Sequence, residues 1–367
     1  MGFFLVWLLF FPTRRIILFP KYASRGGFFV KTQIYLVRHC ESEGNACRRN
    51  HAQFDGFVTR KGLAQAEALT ARFENIPVTA IYSSDAYRSR MTAAPLAQRK
   101  GLDIKYRMLL REYTIGCWEG TAIGTTALAY PDLWKIWITT PYAHQIPGAD
   151  NFEIVADRGV EIIRRMANEN PGGVVVAVTH SCTLYCTLTK LLGQPISYYT
   201  QIKSGDNTAV TLVEVDEDGQ MEVIYINDDS HLPKELLRSC YTGRSAETNF
   251  AFDVIKEAEQ WTVVPRLIDV PHGKATVKRH TAFGSEYGEL ISLFVDEDLR
   301  FKGYIEQLFG EVIESLRYDG VRYILIKKQD EVHFNYLFDR FCFEEFAAAP
   351  SYLVVRVTVP GLEGPVY

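Results

Sequence analysis

From Thr32 to about Leu232, short apolar β-branched runs alternate with stretches of helical periodicity. "TQIYLV" predicts the first strand, and "RKGLAQAEALTARFENI" a helix with Leu63, Ala66, Leu69 and Phe73 on one face. "VTAIYSS" predicts a second strand, "AYRSRMTAAPLAQRKG" a helix ending at Gly101, and "IKYRMLLRE" another extended segment. Residues 113–148, rich in Tyr, Trp and Pro, read as irregular. The helix "NFEIVADRGVEIIRRMANEN" stops at the breakers Pro171-Gly172-Gly173. "VVVAVTHS" is the most strand-like segment of the chain and is followed by "CTLYCTLTKLLG". "TAVTLVEVDEDGQMEVIYIN" predicts a hairpin turning at Asp218-Gly219. Alternation of this kind specifies an α/β sheet.

A second α/β unit follows, with strands "GKATVKRH" and "ELISLFV", helix "IEQLFGEVIESLRYDG", strand "RYILIKK", a further helix and a last strand "YLVVRVTV". The pattern divides the chain into residues 31–235, a connector over 236–262, and a smaller domain over 263–367. Residues 1–30 stand apart. Their apolar run is shorter than the ~20 residues of a membrane span, and no basic start of a secretory signal precedes it. An over-extended gene model, with initiation near Val30, is the expectation for this segment.

Composition narrows the function classes. The 367 residues are 47% hydrophobic and 23% charged, with a net charge of −4 and no Lys/Arg-rich block. That excludes a basic nucleic-acid or membrane-surface binder. Seven cysteines form no C-x-x-C pair, a scatter that fits the reducing cytoplasm. Cys182 and Cys186 read as small buried hydrophobes.

Candidate chemistry collects where ligands gather in open α/β sheets, beyond the carboxyl ends of strands. Arg38 and His39 follow the first strand, Arg88 lies just after "IYSS", Glu112 ends "KYRMLLRE" and His180 ends "VVVAVTH". Two guanidiniums, two imidazoles and a carboxylate on one rim suit a phosphate monoester. Arginine forks match phosphate oxygens, imidazole can attack phosphorus, and a carboxylic acid can protonate the leaving oxygen.

"LVRHCESEGN" resembles the R-H-G-x-[ST]-x-x-N signature of the histidine phosphatases, the phosphoglycerate mutase-like superfamily. "TRKGLAQAEAL", "IYSSDAYRSRMTA", "LREYTIGCWEG" and "VVVAVTHS" are similar to its later motifs, in order, with Met91 where Gln is usual. The resemblance implies a mixed sheet flanked by helices and a metal-independent phosphomonoester hydrolase acting on a small phosphorylated metabolite. His39 would become phosphohistidine. Arg38, Arg88 and His180 would bind phosphate with Asn45 nearby, and Glu112 would donate and then accept the proton. No metal or cofactor is implied. Cys40 replaces the usual Gly, where it packs or is open to oxidation, and Asp150 stands where Glu is usual. The longer insertion of a phosphoglycerate mutase is missing, which favours hydrolysis. The aromatic residues of 113–150 favour a substrate with a ring or apolar part, or simply form core.

"ELISLFVDEDLRFKGYIEQLFGEVIESLRYDGVRYILIKK" resembles the core of GNAT-type N-acyltransferases. Arg300 and Gly303 match its R/Q-x-x-G-x-G/A loop, which would hold acetyl-CoA. Ile305 is bulky where Gly or Ala is usual, Phe338 falls where the catalytic Tyr would be, and Cys342 replaces Gly. The expectation is a partial GNAT-like domain that packs, forms a homodimer or binds something. A silent ligand-binding or regulatory protein and a bifunctional phosphatase and acyltransferase are the alternatives.

Overall fold

The computed structural model describes residues 31–237, 249–267, 270–282, 285–299, 302–328 and 337–358. The segment 1–30 and Arg300 lie outside the described residues. In chain order the first unit contains β1 (Thr32–Arg38), α1 (Glu43–Ala46), α2 (Arg60–Arg72), β2 (Ala80–Ser83), α3 (Tyr87–Lys100) and β3 (Ile104–Tyr106). It continues with α4 (Ile123–Ala129), α5 (Pro131–Thr139), α6 (Phe152–Glu169), β4 (Val174–Thr179), α7 (Ser181–Leu191), β5 (Val210–Val215) and β6 (Met221–Asp228).

Six strands form a mixed sheet in the order β3-β2-β4-β1-β5-β6. β1 pairs in parallel with β4 and antiparallel with β5. Its unbroken apolar run follows from burial on both faces. Ile34 and Leu36 pack towards Ile162, Ile163 and Met166 of α6 and Leu184 and Leu188 of α7. Tyr35 and Val37 pack towards Leu69 of α2, Phe73, and Leu96 of α3. Each such side chain, fully buried, stabilises the fold by about 1.5–3 kcal/mol. α6 and α7 meet so closely that a Cβ on Gly159 would stand 1.8 Å from Thr187 Oγ1.

The segment expected to be irregular contains the helices α4 and α5. Pro131 opens α5 at its first position, where no backbone N–H is needed. "IKYRMLLRE" is extended only over β3, and a 3₁₀ turn follows at Met108–Leu110.

The second unit comprises β7 (Ala251–Lys256), β8 (Gln260–Leu267), β9 (Val270–Pro271), β10 (Gly273–Ala282), β11 (Ser285–Val295), α8 (Tyr304–Tyr318), β12 (Tyr323–Lys327), β13 (Glu344–Glu345) and β14 (Tyr352–Arg356). Its sheet runs β13-β14-β12-β11-β10-β8-β7, with β9 paired to β8. The expected connector therefore already contains β7 and the start of β8. All pairs are antiparallel except β11 and β12, which α8 joins as a crossover. Leu308, Val312, Ile313 and Leu316 of α8 form a core with Trp261, Val263, Ala275 and Val277. Ala46 and Cys47, from the first unit, belong to this same core. No helix among the described residues is long and apolar enough to cross a membrane.

Candidate active site

Parallel pairing of β1 and β4 extends one residue past the strand, where His39 N–H donates to Thr179 O (2.9 Å). That register sets His39 and His180 side by side, ring centroids 5.1 Å apart. The two imidazoles and Arg38, Arg88 and Glu112 are all buried, Arg88 completely. The structure brings these five expected residues to one end of the sheet.

The tautomers follow from the partners. His39 Nδ1 lies 2.7 Å from Cys40 O, which can only accept, so Nδ1 carries the proton and Nε2 keeps a lone pair. His180 Nδ1 accepts from Arg88 Nη2 (3.1 Å), so its Nε2–H points to Ser84 Oγ (2.9 Å). Burial foremost, then the positive charge of Arg88, holds both imidazoles well below the ordinary histidine range. Arg38 adds to the effect on His39. Both rings are neutral at neutral pH.

Both guanidiniums donate to backbone carbonyls. Arg88 donates to Ala52 O, Phe54 O and Asp55 Oδ1 at 2.7, 3.0 and 3.1 Å. Arg38 donates to Gly205 O at 2.9 Å. The Nε groups of both arginines are buried and have no partner among the described residues. Such donors are costly to leave unmade.

Glu112 lies across the start of α7. Its Oε1 accepts from the backbone N–H groups of Tyr113 (3.0 Å) and Thr183 (2.8 Å) and from the Thr183 hydroxyl (3.0 Å). Its Oε2 accepts from Cys182 N–H (3.0 Å). Asn45 Oδ1 accepts from Ser42 N–H and Oγ and from Asn207 Nδ2, which also holds His39 O.

Three contributors were not anticipated. His51 places its ring 6.1 Å from that of His39, and burial pushes it down to about 3. Its Nδ1 meets Arg49 O (2.9 Å), which leaves Nε2 as an acceptor near Ser42 Oγ. Asp55 accepts from Arg88 and from Tyr87 N–H, and burial raises its pKa. Asn207 comes from beyond α7. None of the three stands in a periodic pattern, and no signal in the sequence marked them.

Other expectations change. Cys40 is buried, its backbone does not need positive φ, and burial pushes its thiol up to about 12. Packing, not oxidation, accounts for it. Asp150 accepts from Thr114 N–H (2.8 Å) and fixes the loop after Glu112. Tyr113, Trp118 and Trp134 are core residues, with Phe152 and Val155 around them. This matches the expectation that part of the aromatic content of 113–150 forms core. Gly303 caps α8 with φ +82°, remote in sequence from these groups.

A family model described as histidine phosphatase superfamily (branch 1) matches residues 34–229, all within the first unit. The chain is 31% identical over 163 residues to the "Probable phosphoglycerate mutase GpmB" of Salmonella typhi, covering 44% of this chain and 76% of that protein. It is 24% identical over 200 residues to "Phosphoserine phosphatase 1" of Hydrogenobacter thermophilus, covering 54% and 94%. The solved structure "Bacillus stearothermophilus YhfR" aligns with a TM-score of 0.53 at 28% identity, covering 55% of this chain and 98% of that one.

Proposed function

The chain belongs to the histidine phosphatase superfamily and is a histidine-type phosphatase, and we propose that it hydrolyses a small phosphorylated metabolite through a phosphohistidine at His39, without a metal. The observation that carries the reading is the pair of buried, unpartnered guanidinium N–H groups on Arg38 and Arg88, close to a neutral imidazole whose Nε2 lone pair is available. A dianionic phosphoryl group answers both. It accepts from the arginines and offers phosphorus to the lone pair.

His39 Nε2 forms the N–P bond as the ester P–O bond breaks. Protonated Glu112 delivers its proton to the leaving oxygen, a step worth typically ~10²–10⁴-fold. Water then attacks phosphorus, Glu112 takes its proton, the P–N bond breaks and phosphate departs with His39 restored. Fixed positive charge from Arg38 and Arg88 stabilises the phosphoryl oxygens throughout.

The relatives named for phosphoserine and phosphoglycerate support a compact substrate. Hydrolysis of p-nitrophenyl phosphate in EDTA, wild type beside His39→Ala, tests the mechanism. EDTA-resistant turnover that vanishes in the variant supports it, and turnover that survives refutes His39 as nucleophile. With 3-phosphoglycerate, phosphate release supports hydrolysis, while isomerisation without release marks a mutase.

For the second unit we propose a GNAT-like layout kept for packing and not for acyl transfer. The β11–α8–β12 crossover and Gly303 support the likeness. The buried carboxylate of Glu306 in the first turn of α8 opposes an anion there, and the Phe338 ring packs 5.3 Å from that of Phe343.

A further inference from the structure

Among the described residues, the second unit contributes no side chain to the phosphate site, yet it grips the segment that carries the nucleophile. Glu43, four residues after His39, is fully buried, and its Oε2 meets Arg317 Nη2 of α8 at 2.7 Å. The same guanidinium holds Glu314 (2.8 Å) and Val357 O (2.8 Å) and lies 5.0 Å from the Phe54 ring centroid. Phe54 O, in turn, accepts from Arg88 Nη1. Arg317 therefore touches both arms of the phosphate cradle at one remove. One arm is α1, which carries Asn45. The other is the loop whose carbonyls aim Arg88.

Neighbouring contacts repeat the arrangement. Arg49 Nη1 pairs with Glu311 of α8 at 2.7 Å while its Nε bonds Gly120 O (2.9 Å). Arg340 bridges Glu41, two residues after His39, and Glu306, each at 3.3 Å. Between these pairs α8 presents Gly310, where a Cβ would stand 2.4 Å from that of Cys47. No water-sized layer separates the two surfaces at that point. A glycine at this contact lets the helix backbone press directly on the end of α1.

We propose that Arg317 is a positioning residue for the phosphatase site, fixing the nucleophile loop through Glu43 and Phe54. The inference rests on the phosphatase reading above. It makes the second unit a working part of the first, whatever ligand that unit binds or has lost. A buried carboxylate left without its cation does not stay in place. Glu43 would turn towards solvent and carry α1 with it, and the carbonyls that aim Arg88 would lose their support at Phe54.

The test uses the full chain and three variants, Arg317→Lys, Arg317→Met, and Arg317→Met combined with Glu43→Gln. The last removes both charges of the Glu43 pair, so that Glu43 is not left as a buried ion alone, although Glu314 also loses this partner. Each is assayed for kcat and KM on p-nitrophenyl phosphate, for inorganic phosphate binding by calorimetry, and for thermal unfolding. The expected result is a tenfold or greater loss of kcat and weaker phosphate binding in the double variant at near wild-type melting temperature, with partial rescue by Lys. Wild-type kcat and phosphate affinity in a folded double variant would overturn the proposal. Loss of the fold in both Met variants would also overturn it, since Arg317 would then serve stability alone. Absent turnover in the wild type, or turnover persisting in His39→Ala, would instead strike the phosphatase reading. Phosphate binding still reads the Arg317 effect in that case.

Discussion

Gly159→Ala is the substitution whose outcome the packing defines most sharply. In an exposed helix interior the change stabilises by about 1 kcal/mol. Here the new Cβ would stand 1.8 Å from Thr187 Oγ1, 2.8 Å from its Cβ and 3.0 Å from its Cγ2. Rotating the hydroxyl away breaks its bond to Thr183 O (2.6 Å), a loss of about 1 kcal/mol. The contact with Cβ persists in every rotamer, so α6 and α7 must part by several tenths of an ångström, an overpacking cost of about 1–3 kcal/mol. The net expectation is destabilisation by about 1–3 kcal/mol, seen as a lower urea midpoint. Activity falls as well, because the first turn of α7 supplies the N–H groups of Cys182 and Thr183 to Glu112. A misplacement of 1 Å can cost ~10²-fold, so a smaller shift predicts about a tenfold loss of kcat. In a Thr187→Ala background the penalty should shrink by at least about 1 kcal/mol. A raised urea midpoint with unchanged kcat would refute the packing argument, and so would strict additivity of the two changes.

Three further outcomes are expected. His39, His51, His144, His180 and His231 are all held below the ordinary range by burial, so the unfolded chain binds protons below about pH 6.5 that the fold refuses. Stability therefore falls from pH 7 to pH 5, against a smaller opposite contribution from the raised carboxyl of Asp55, and an equal or higher urea midpoint at pH 5 would contradict this. Cys40, buried and with its thiol near 12, should resist iodoacetamide in the native protein and react in urea; native labelling at that peptide would show that the loop opens. Acetyl-CoA should leave the melting temperature unchanged, because a ligand at 100 times its Kd would add about 2.7 kcal/mol and be plainly visible.

The legible and the hidden parts of this protein differ by the range of the forces involved. "TQIYLV" and "VVVAVTHS" announce buried parallel strands because both faces of each are covered, and the chemistry at their ends follows from where strands end. The segment 251–262 read as polar because β7 lies at the edge of its sheet, where alternate residues such as Asp253 and Ile255 meet solvent. α5 was hidden by Trp134 and Trp137, although Pro131 marked a start, and α4 is a seven-residue helix whose Gly124, Thr125 and Thr126 are weak helix formers. His51, Asp55 and Asn207 act through contacts that no local periodicity encodes. The boundary between units was drawn cleanly along the chain, whereas Ala46 and Cys47 are shared with the second core.

The ion pair between Glu43 and Arg317 spans 274 residues of sequence. On the ribosome, the nucleophile is made early and its last support very late. β1 must wait for β5 to complete its sheet and for α8 to seat its loop, contacts whose closure is slow because the intervening chain is long. The nascent first unit thus carries Glu43 without its cation and an apolar face at Cys47 with no cover. Chains released before α8 would expose that face, and they are the species on which chaperones and proteases would act. Catalytic competence in this protein is accordingly a late event of synthesis, arriving with the second unit.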